Sequence, residues 1–148
     1  MPTKNATLIA SHPPRRGKKY FTVDEANRAL SFVARVVADV REQYRSAVKV
    51  RQRIERAESD QSIEQLRREY EQLMDQLNAY IDELALVGVE LKDFERGLID
   101  FPSIHEGREV CLCWQHGEGK IVAWHETDAG FAGRQDVACL GHHAEVAH

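Results

Sequence analysis

The stretch IEQLRREYEQLMDQLNAYIDELALVG, residues 63–88, decides the fold of this chain. Its apolar residues recur at spacings of three and four, which is the period of an amphipathic helix. They form one unbroken stripe: Ile63, Leu66, Tyr70, Leu73, Leu77, Tyr80, Leu84 and Val87. Gly88 directly follows the stripe, and glycine commonly ends helices. The stretch therefore predicts a long helix whose apolar face needs a partner.

A second apolar stripe lies upstream and supplies that partner. Thr22 and Glu25 have the spacing of a capping box, and they open a predicted helix over roughly residues 23–57. Its apolar members are Leu30, Val33, Val37, Val40, Tyr44, Ala47 and Ile54. When the two stripes are paired antiparallel, the numbers of facing residues have an almost constant sum, and the turn falls at Ser59-Asp60.

After Gly88 the apolar period changes from helical to alternating, which is typical of β-structure. Strands are predicted near 89–94, 98–101, 109–115 and 120–126. The last two form a hairpin through a four-residue turn that contains two glycines, and Gln115 then pairs with Lys120. We therefore predict an α+β protein: a long antiparallel two-helix coiled-coil hairpin followed by a small antiparallel β-meander.

The chain is predicted to form one domain between two tails. Residues 1–19 contain three prolines and five basic residues and are interpreted as a flexible basic tail, and residues 139–148 as a second flexible tail. Residues 20–138 form the domain, with the helical hairpin over 22–87 and the β-rich segment over 89–138.

Composition restricts the class of protein. With 148 residues, 43% of them hydrophobic, the chain can bury the core of one domain. No apolar run approaches the ~20 residues that span a bilayer. Three cysteines suit a reducing compartment better than a disulfide framework. We therefore expect a cytoplasmic protein that does not bind membranes.

Charge is distributed unevenly along the chain. The first 57 residues carry a net positive charge and the remainder a net negative charge. The exposed face of the first helix has a basic stripe of Arg41, Arg45, Lys49, Arg53 and Arg56. This stripe could follow a phosphate backbone, but no aromatic residues are interleaved to stack on bases. Since the acidic second helix is an intramolecular partner for these charges, nucleic acid is a possible partner but not the favoured one.

Several C-terminal motifs together resemble a known family. They are Asp100-Phe101-Pro102, Gly107-Arg108, Leu112-Cys113-Trp114, Gly117-Glu118, Trp124-His125-Glu126 and Gly130-Phe131-Ala132-Gly133-Arg134. In this order they are similar to the signature of a prokaryotic family, bacterial in our interpretation, known only as domain of unknown function 2203, over roughly residues 20–137. The resemblance implies domain limits but no activity, cofactor or partner.

A metal site is possible in the predicted hairpin but is not favoured. Cys111 and Cys113 are two apart on a strand and point to the same face, whereas the preferred register puts His125 on the opposite face. A shift of one residue would bring His125 over to them. The low-probability ligands of a structural metal are therefore Cys111, Cys113 and His125, with His105, His116 or a histidine of the C-terminal tail as conceivable additions.

The same segment contains the residues considered for ligand binding. Arg134 lies in a Gly-rich loop, where Asp100, Glu126 or Asp128 could meet it. Such a cluster could be structural, or it could bind a carboxylate or phosphate. Since His125 and Glu126 are neighbours on a strand, they point to opposite faces and cannot act as one acid–base pair. The candidate ligand-binding residues are Asp100, Trp114, Glu118, Trp124, His125, Glu126, Phe131 and Arg134.

These observations favour an uncharacterised binding or interaction protein. Its helical arm would contact a protein partner or a second copy of the chain, and its β-rich head would recognise a ligand. The first alternative is a small-molecule or anion binder, or an enzyme, with a pocket around His125 and Arg134; the second is nucleic-acid binding through the basic stripe. No Walker, Rossmann, HExxH or nucleophile-elbow pattern occurs, so whether the protein is an enzyme is left open.

Overall fold

The computed structural model of the protein describes residues 12–140, so residues 1–11 and 141–148 of the predicted tails lie outside the described part. Two helices precede a five-stranded antiparallel sheet, which confirms the predicted α+β class. The elements are α1 (Val23–Arg56), α2 (Asp60–Val87), β1 (Glu90–Asp93), β2 (Leu98–His105), β3 (Arg108–Gln115), β4 (Ala123–Glu126) and β5 (Gln135–Asp136), with short 3₁₀ turns at Phe131–Gly133 and Val137–Leu140.

Local capping explains where the helices begin and end. The hydroxyl of Thr22 accepts a hydrogen bond from the N–H of Glu25 (3.0 Å), whose carboxylate accepts one from the N–H of Thr22 (2.9 Å). This is the predicted capping box, and it satisfies two backbone donors at the start of α1. Ser59 caps α2, so the connection between the helices covers residues 57–59 and ends where the predicted turn at Ser59-Asp60 begins. Gly88 ends α2 with φ +101°, a conformation that suits glycine.

The two helices pack through the predicted apolar stripes. The buried members in α1 include Val33, Val37, Val40 and Ala47, and those in α2 are Leu66, Leu77 and Leu84. Arg51 and Tyr70, which the pairing places opposite each other, line the same small cavity between the helices. Neither helix is long and apolar enough to cross a membrane.

The sheet covers only the first part of the hairpin. Its strands follow the order β1-β2-β3-β4-β5, which confirms the predicted meander. Phe101, Leu112 and Trp124 form a common core with the helices. The contact between Phe94 and Tyr44, with ring centroids 5.4 Å apart, lies two thirds of the way along α1. Beyond it α1 continues for roughly 18 Å, at ~1.5 Å per residue, as a projecting arm.

Strand β2 is longer than predicted because Pro102 does not end it. The carbonyl of Pro102 accepts a hydrogen bond from the N–H of Phe21 (2.7 Å) on the side that β1 leaves open. The N and the C=O of a strand residue point to the same side, so the missing N–H of proline costs no bond to β3. The strand then turns into β3 through Glu106 (φ +52°) and Gly107 (φ +77°), as in two-residue hairpin turns with both residues left-handed.

The register between β3 and β4 differs by one residue from the prediction. Cys111 pairs with His125, and Cys113 pairs with Ala123. His125 therefore lies on the same face of the sheet as both cysteines. The prediction that it lies on the other face was wrong. The connection is also longer than the expected four residues, since β3 ends at Gln115 and β4 begins only at Ala123.

Two hydrogen bonds stabilise this longer connection. The N–H of Gln115 donates to the carboxylate of Glu118 (2.7 Å), and the N–H of Ile121 donates to the side-chain oxygen of Asn27 on α1 (2.8 Å). The acceptor oxygens of Glu118 and Asn27 replace the strand partner that the predicted hairpin would have supplied. The side chain of Ile121 is buried in the core that the helices share, so this residue, predicted to lie in β4, is used for packing instead.

Candidate functional site

The face of the sheet that points away from the helices carries buried polar groups. Alternation along the strands places Asp100, Cys111, Cys113 and His125 on this face, whereas Leu112 lies in the core shared with the helices. We call it the outer face. A buried carboxylate, imidazole and pair of thiols on adjacent strands are unusual, because buried polar groups cost free energy unless they are paired.

Asp100 and His125 form a buried ion pair on the outer face. Nε2 of His125 lies 3.1 Å from Oδ1 of Asp100, and Nδ1 lies 2.7 Å from the carbonyl oxygen of Glu126. Only 2% of Asp100 and 3% of His125 is exposed. Burial lowers the pKa of His125, but hydrogen bonds with Asp100, Cys113 and Glu126 outweigh it and raise the pKa to about 10. His125 is therefore an imidazolium at neutral pH, with both nitrogens donating.

Cys111 lies beside this pair as an unreactive thiol. Burial raises its pKa to about 12, and the negative charges of Asp100 and Glu90 add to the effect. Since the thiolate is the nucleophile, this environment argues against Cys111 as a catalytic nucleophile. Cys113 is fully buried; its sulfur, one imidazole nitrogen of His125 and a carboxylate oxygen of Asp100 all lie within 4.8 Å of one another. These three residues are the ones that could hold a metal.

A cavity of about 370 Å³ opens above the outer face. Its floor includes Asp100, Cys111 and His125. Its walls include residues of β1, of the segment before α1 and of the segment after β4. The full lining consists of Arg15, Lys18, Glu90, Lys92, Leu98, Asp100, Glu109, Cys111, His125, Thr127, Gly130 and Phe131. The volume falls in the range of small-molecule sites.

Polar contacts fix the N-terminal segment to the sheet. Glu109 accepts hydrogen bonds from Nζ of Lys18 and from the hydroxyl of Tyr20 (2.9 Å), and that hydroxyl in turn accepts the N–H of Arg15 (2.8 Å). His12 contacts Asp128 on the opposite wall, with Nε2 2.9 Å from Oδ2. Residues 12–19, which the sequence assigns to a tail, thus form one wall of the cavity.

The contact of Glu109 with Lys18 should be measurable as a pH-dependent contribution to stability. Burial raises the pKa of Glu109, but the hydrogen bonds from Lys18 and Tyr20 outweigh it, so the pKa is lowered from its ordinary value of 4.5. A carboxyl group whose pKa is lower in the folded protein stabilises it above the ordinary value, and loses that contribution as the pH falls through the folded value. We expect Glu109→Gln to lower the free energy of unfolding by about 2 kcal/mol at pH 7, and by much less at pH 3.

Urea unfolding at both pH values measures this difference. Glu58→Gln is the matched control, because Glu58 is exposed in the connection between the helices, and its loss should change stability by less than about 0.5 kcal/mol. An equal loss for Glu109→Gln at pH 7 and pH 3 would contradict the assignment.

The structure separates the eight candidate ligand-binding residues into three groups. Asp100, His125 and Phe131 line the cavity. Trp114 and Trp124 instead lie in the core on the helix side of the sheet. Glu118, Arg134 and Glu126 form ion pairs at the margins of the sheet. Glu118 pairs with Arg134, and Glu126 pairs with Arg108.

Arg134 does not meet any of the acids proposed for it. Its Nη2 lies 2.9 Å from both oxygens of Glu118 and 3.3 Å from the carbonyl of Cys113. The guanidinium carbon is 4.8 Å from the ring centroid of Phe131, and that of Arg96 is 4.3 Å from the same centroid. Phe131, which lines the cavity, is therefore in contact with two cations.

Sequence reasoning missed the charged walls of the cavity. Glu90 and Lys92 are two residues apart on β1, and Glu90 pairs with Asp100 on β2. This period-two spacing could have placed both residues on the outer face. Arg15 and Lys18 carry no such signal, because the segment before α1 has no apolar period. Their position depends on contacts with Glu109, 91 residues from Lys18 in the sequence.

The fold and the site together define the class of protein: a helical hairpin on a five-stranded meander, with a polar cavity on the sheet face opposite the helices. The model of the family described as "Uncharacterized conserved protein (DUF2203)" matches residues 19–137, and the chain belongs to this family, as its motifs predicted. No curated protein and no solved structure matches the chain.

Proposed function

We propose that the protein binds a small organic molecule with an anionic group in the cavity on the outer face. The observation that supports this most is the lining itself. Three basic side chains, Arg15, Lys18 and Lys92, surround a cavity of about 370 Å³ whose floor is the buried pair of Asp100 and His125.

Not all charged side chains of the cavity form strong ion pairs with other described residues. Lys18 is bound to Glu109, with both side chains largely buried. Lys92 lies 3.2 Å from Glu90, but both are about half exposed, and such ion pairs contribute little to stability. Arg15 forms no salt bridge within residues 12–140. Arg15 and Lys92 can therefore bind a carboxylate or a phosphate.

The remaining lining suits an organic molecule better than a free ion. Leu98 and Phe131 offer apolar surface next to the charged groups. The hydroxyl oxygen of Thr127 is buried and has no hydrogen-bond partner among the described residues, although buried hydroxyls are normally paired. A ligand that carries an anionic end, an apolar body and a hydrogen-bonding group would satisfy all three features.

Thermal shift with simple anions tests the proposal. We expect inorganic phosphate and succinate, added at constant ionic strength, to raise the melting temperature; a ligand at a hundred times its Kd stabilises by about 2.7 kcal/mol. Arg15→Ala and Lys92→Ala should each remove most of the shift. Arg53→Ala, which removes an exposed cation near the hairpin tip, should leave it unchanged. Equal shifts in all variants, or none with either anion in the unmodified chain, would contradict anion binding in this cavity.

A second candidate function is association through the helical hairpin; the sequence predicted this role for the arm, whereas the exposed apolar residues lie at the base of the hairpin. Leu86 on α2 is 88% exposed and Phe32 on α1 is 41% exposed, and both are large apolar side chains. A second copy of the chain could cover them. Sedimentation equilibrium of the unmodified chain and of Leu86→Lys tests this: the lysine variant should shift a dimer toward monomer, and a monomer at all concentrations would contradict the idea.

A further inference from the structure

Three metal-binding side chains meet on the outer face of the sheet. Asp100 lies on β2, Cys113 on β3 and His125 on β4, and each offers one donor atom within 4.8 Å of the other two. All three are at least 97% buried. Asp100 pairs directly with Cys113 across the ladder, and His125 lies on the neighbouring strand. Because adjacent strands of one sheet hold them, the three donors are fixed by the backbone and not by a loop.

The orientation of His125 is the one found in metal-binding histidines. Such residues commonly donate the ring N–H that does not bind the metal to a carbonyl or carboxylate, and this contact fixes the ring. Here Nδ1 of His125 lies 2.7 Å from the carbonyl oxygen of Glu126, and Nε2 lies 3.1 Å from Oδ1 of Asp100. The contact with Glu126 lies within the strand, so the imidazole is held in place by its own neighbour.

We propose that Asp100, Cys113 and His125 bind one divalent transition-metal ion, with Zn²⁺ as the ion that the donor set favours. One sulfur, one nitrogen and one oxygen donor suit Zn²⁺, whereas Mg²⁺ and Ca²⁺ prefer oxygen alone. Three protein ligands leave one position of a tetrahedral site for another molecule. Asp100 and His125 both line the cavity, so that position faces the space in which the ligand is proposed to bind.

Charge balance is compatible with an ion at this buried place. A divalent ion held by the carboxylate of Asp100, a thiolate of Cys113 and a neutral imidazole of His125 forms a site without net charge, because protein ligands bind metals in their deprotonated forms. The interior therefore avoids the large cost of burying a net charge.

The same geometry replaces the ligand set that the sequence suggested. Cys111 and Cys113 were considered, with His125, as candidate ligands of a metal site that was not favoured, but Cys111 is not one of the three clustered residues. Asp100 takes its place because it pairs with Cys113 across β2 and β3. This difference supplies a matched pair of cysteine variants, two residues apart on one strand.

Cobalt titration of the untagged full chain tests the proposal. After treatment with a chelator and its removal, Co²⁺ should bind once per chain, with the sulfur-to-cobalt charge-transfer absorption of a thiolate ligand. Cys113→Ser should lose this absorption, and Cys111→Ser should keep it. Histidines elsewhere in the chain can bind Co²⁺ without sulfur, so the charge-transfer band, not total cobalt, is the readout.

A second variant covers the case in which Cys113→Ser does not fold. Asp100→Asn retains the sulfur ligand and should bind Co²⁺ at least about tenfold more weakly. About tenfold is the lower end of the loss found when a residue that only contacts a metal ligand is replaced. The far-ultraviolet circular dichroism of this variant should be unchanged. Three results would overturn the proposal: no sulfur-bound cobalt in the unmodified chain, a band that persists in Cys113→Ser, or unchanged affinity in Asp100→Asn.

Metal binding and anion binding can fail separately. The cobalt titration contains no phosphate or succinate, and Arg15→Ala should bind Co²⁺ as tightly as the unmodified chain. Conversely, thermal shifts with phosphate in the presence of a chelator report only on the cavity walls. Loss of one result with retention of the other identifies which of the two proposals is wrong.

Discussion

His125→Ala should lower the free energy of unfolding by about 3–5 kcal/mol, the range found when one partner of a buried ion pair is removed. The variant leaves the carboxylate of Asp100 in a place where only 2% of the residue is exposed and its cationic partner is gone. It also removes the contacts that the imidazole makes with the carbonyl of Glu126 and with Cys113. Urea unfolding in the presence of a chelator measures the loss without any contribution from a bound metal.

A double-mutant cycle separates the ion pair from simple loss of packing. Asp100→Ala and His125→Ala each remove one charge, and the double variant removes both. We expect the double variant to be more stable than the sum of the two single losses predicts, by at least about 2 kcal/mol, since it leaves no unpaired buried charge. Strictly additive losses would show that the two residues contribute only through their volume.

Gly97→Ala should lower the free energy of unfolding by about 3 kcal/mol, because the added methyl group has no room. Gly97 is the buried last residue of the turn between β1 and β2, with φ +67°, and its N–H donates to the carbonyl of Asp93 (2.9 Å). A Cβ atom there would lie 2.7 Å from His116, 2.8 Å from Arg41 and 2.9 Å from Val37. Two of these atoms belong to α1, so the substitution would push the sheet off the helix.

Gly107→Ala is the matched control for this effect. Gly107 also has a positive φ, +77°, but a Cβ atom there would meet nothing within 4 Å. It should cost only the strain of a left-handed alanine, about 1 kcal/mol. Thermal or urea unfolding of the two variants gives the contact contribution at Gly97 as their difference, and equal losses would mean that the close approach to α1 is not a source of stability.

The helices could be predicted because their signals are local. Thr22 and Glu25 make their capping hydrogen bonds within three residues, and Gly88 ends α2 through its own conformation. The heptad stripe of α2 then fixes which face packs. Each of these features can be recognised in a short window of sequence.

The ends and register of the strands depended on distant residues. Pro102 continues β2 because Phe21, 81 residues earlier, occupies the edge beside it. The register of β4 follows from Ile121 donating to Asn27, 94 residues away in the sequence. No local pattern in the turn at 116–119 contains that information, so the tighter four-residue turn was the natural expectation.

The candidate site was located in the correct segment, but its contacts were misassigned. Asp100 and His125 were both selected, yet Asp100 was one of three acids considered as partners of Arg134, and His125 was placed on the wrong face. The error for His125 follows from the one-residue shift in register between β3 and β4, because pairing decides which side chains of neighbouring strands are adjacent. The basic wall could not be predicted, since Arg15 lies on it only through tertiary contacts.

The hydrogen bond from Ile121 to Asn27 makes the β-rich head dependent on the helical arm. A fragment that begins after α2 would lack Asn27, and with it the acceptor that holds the long connection in place. Its last hairpin would be free to adopt the tighter turn, in which His125 faces away from Asp100 and Cys113. The site therefore depends on the first helix. Through Asn27, α1 determines the arrangement of side chains that α1 itself does not contact.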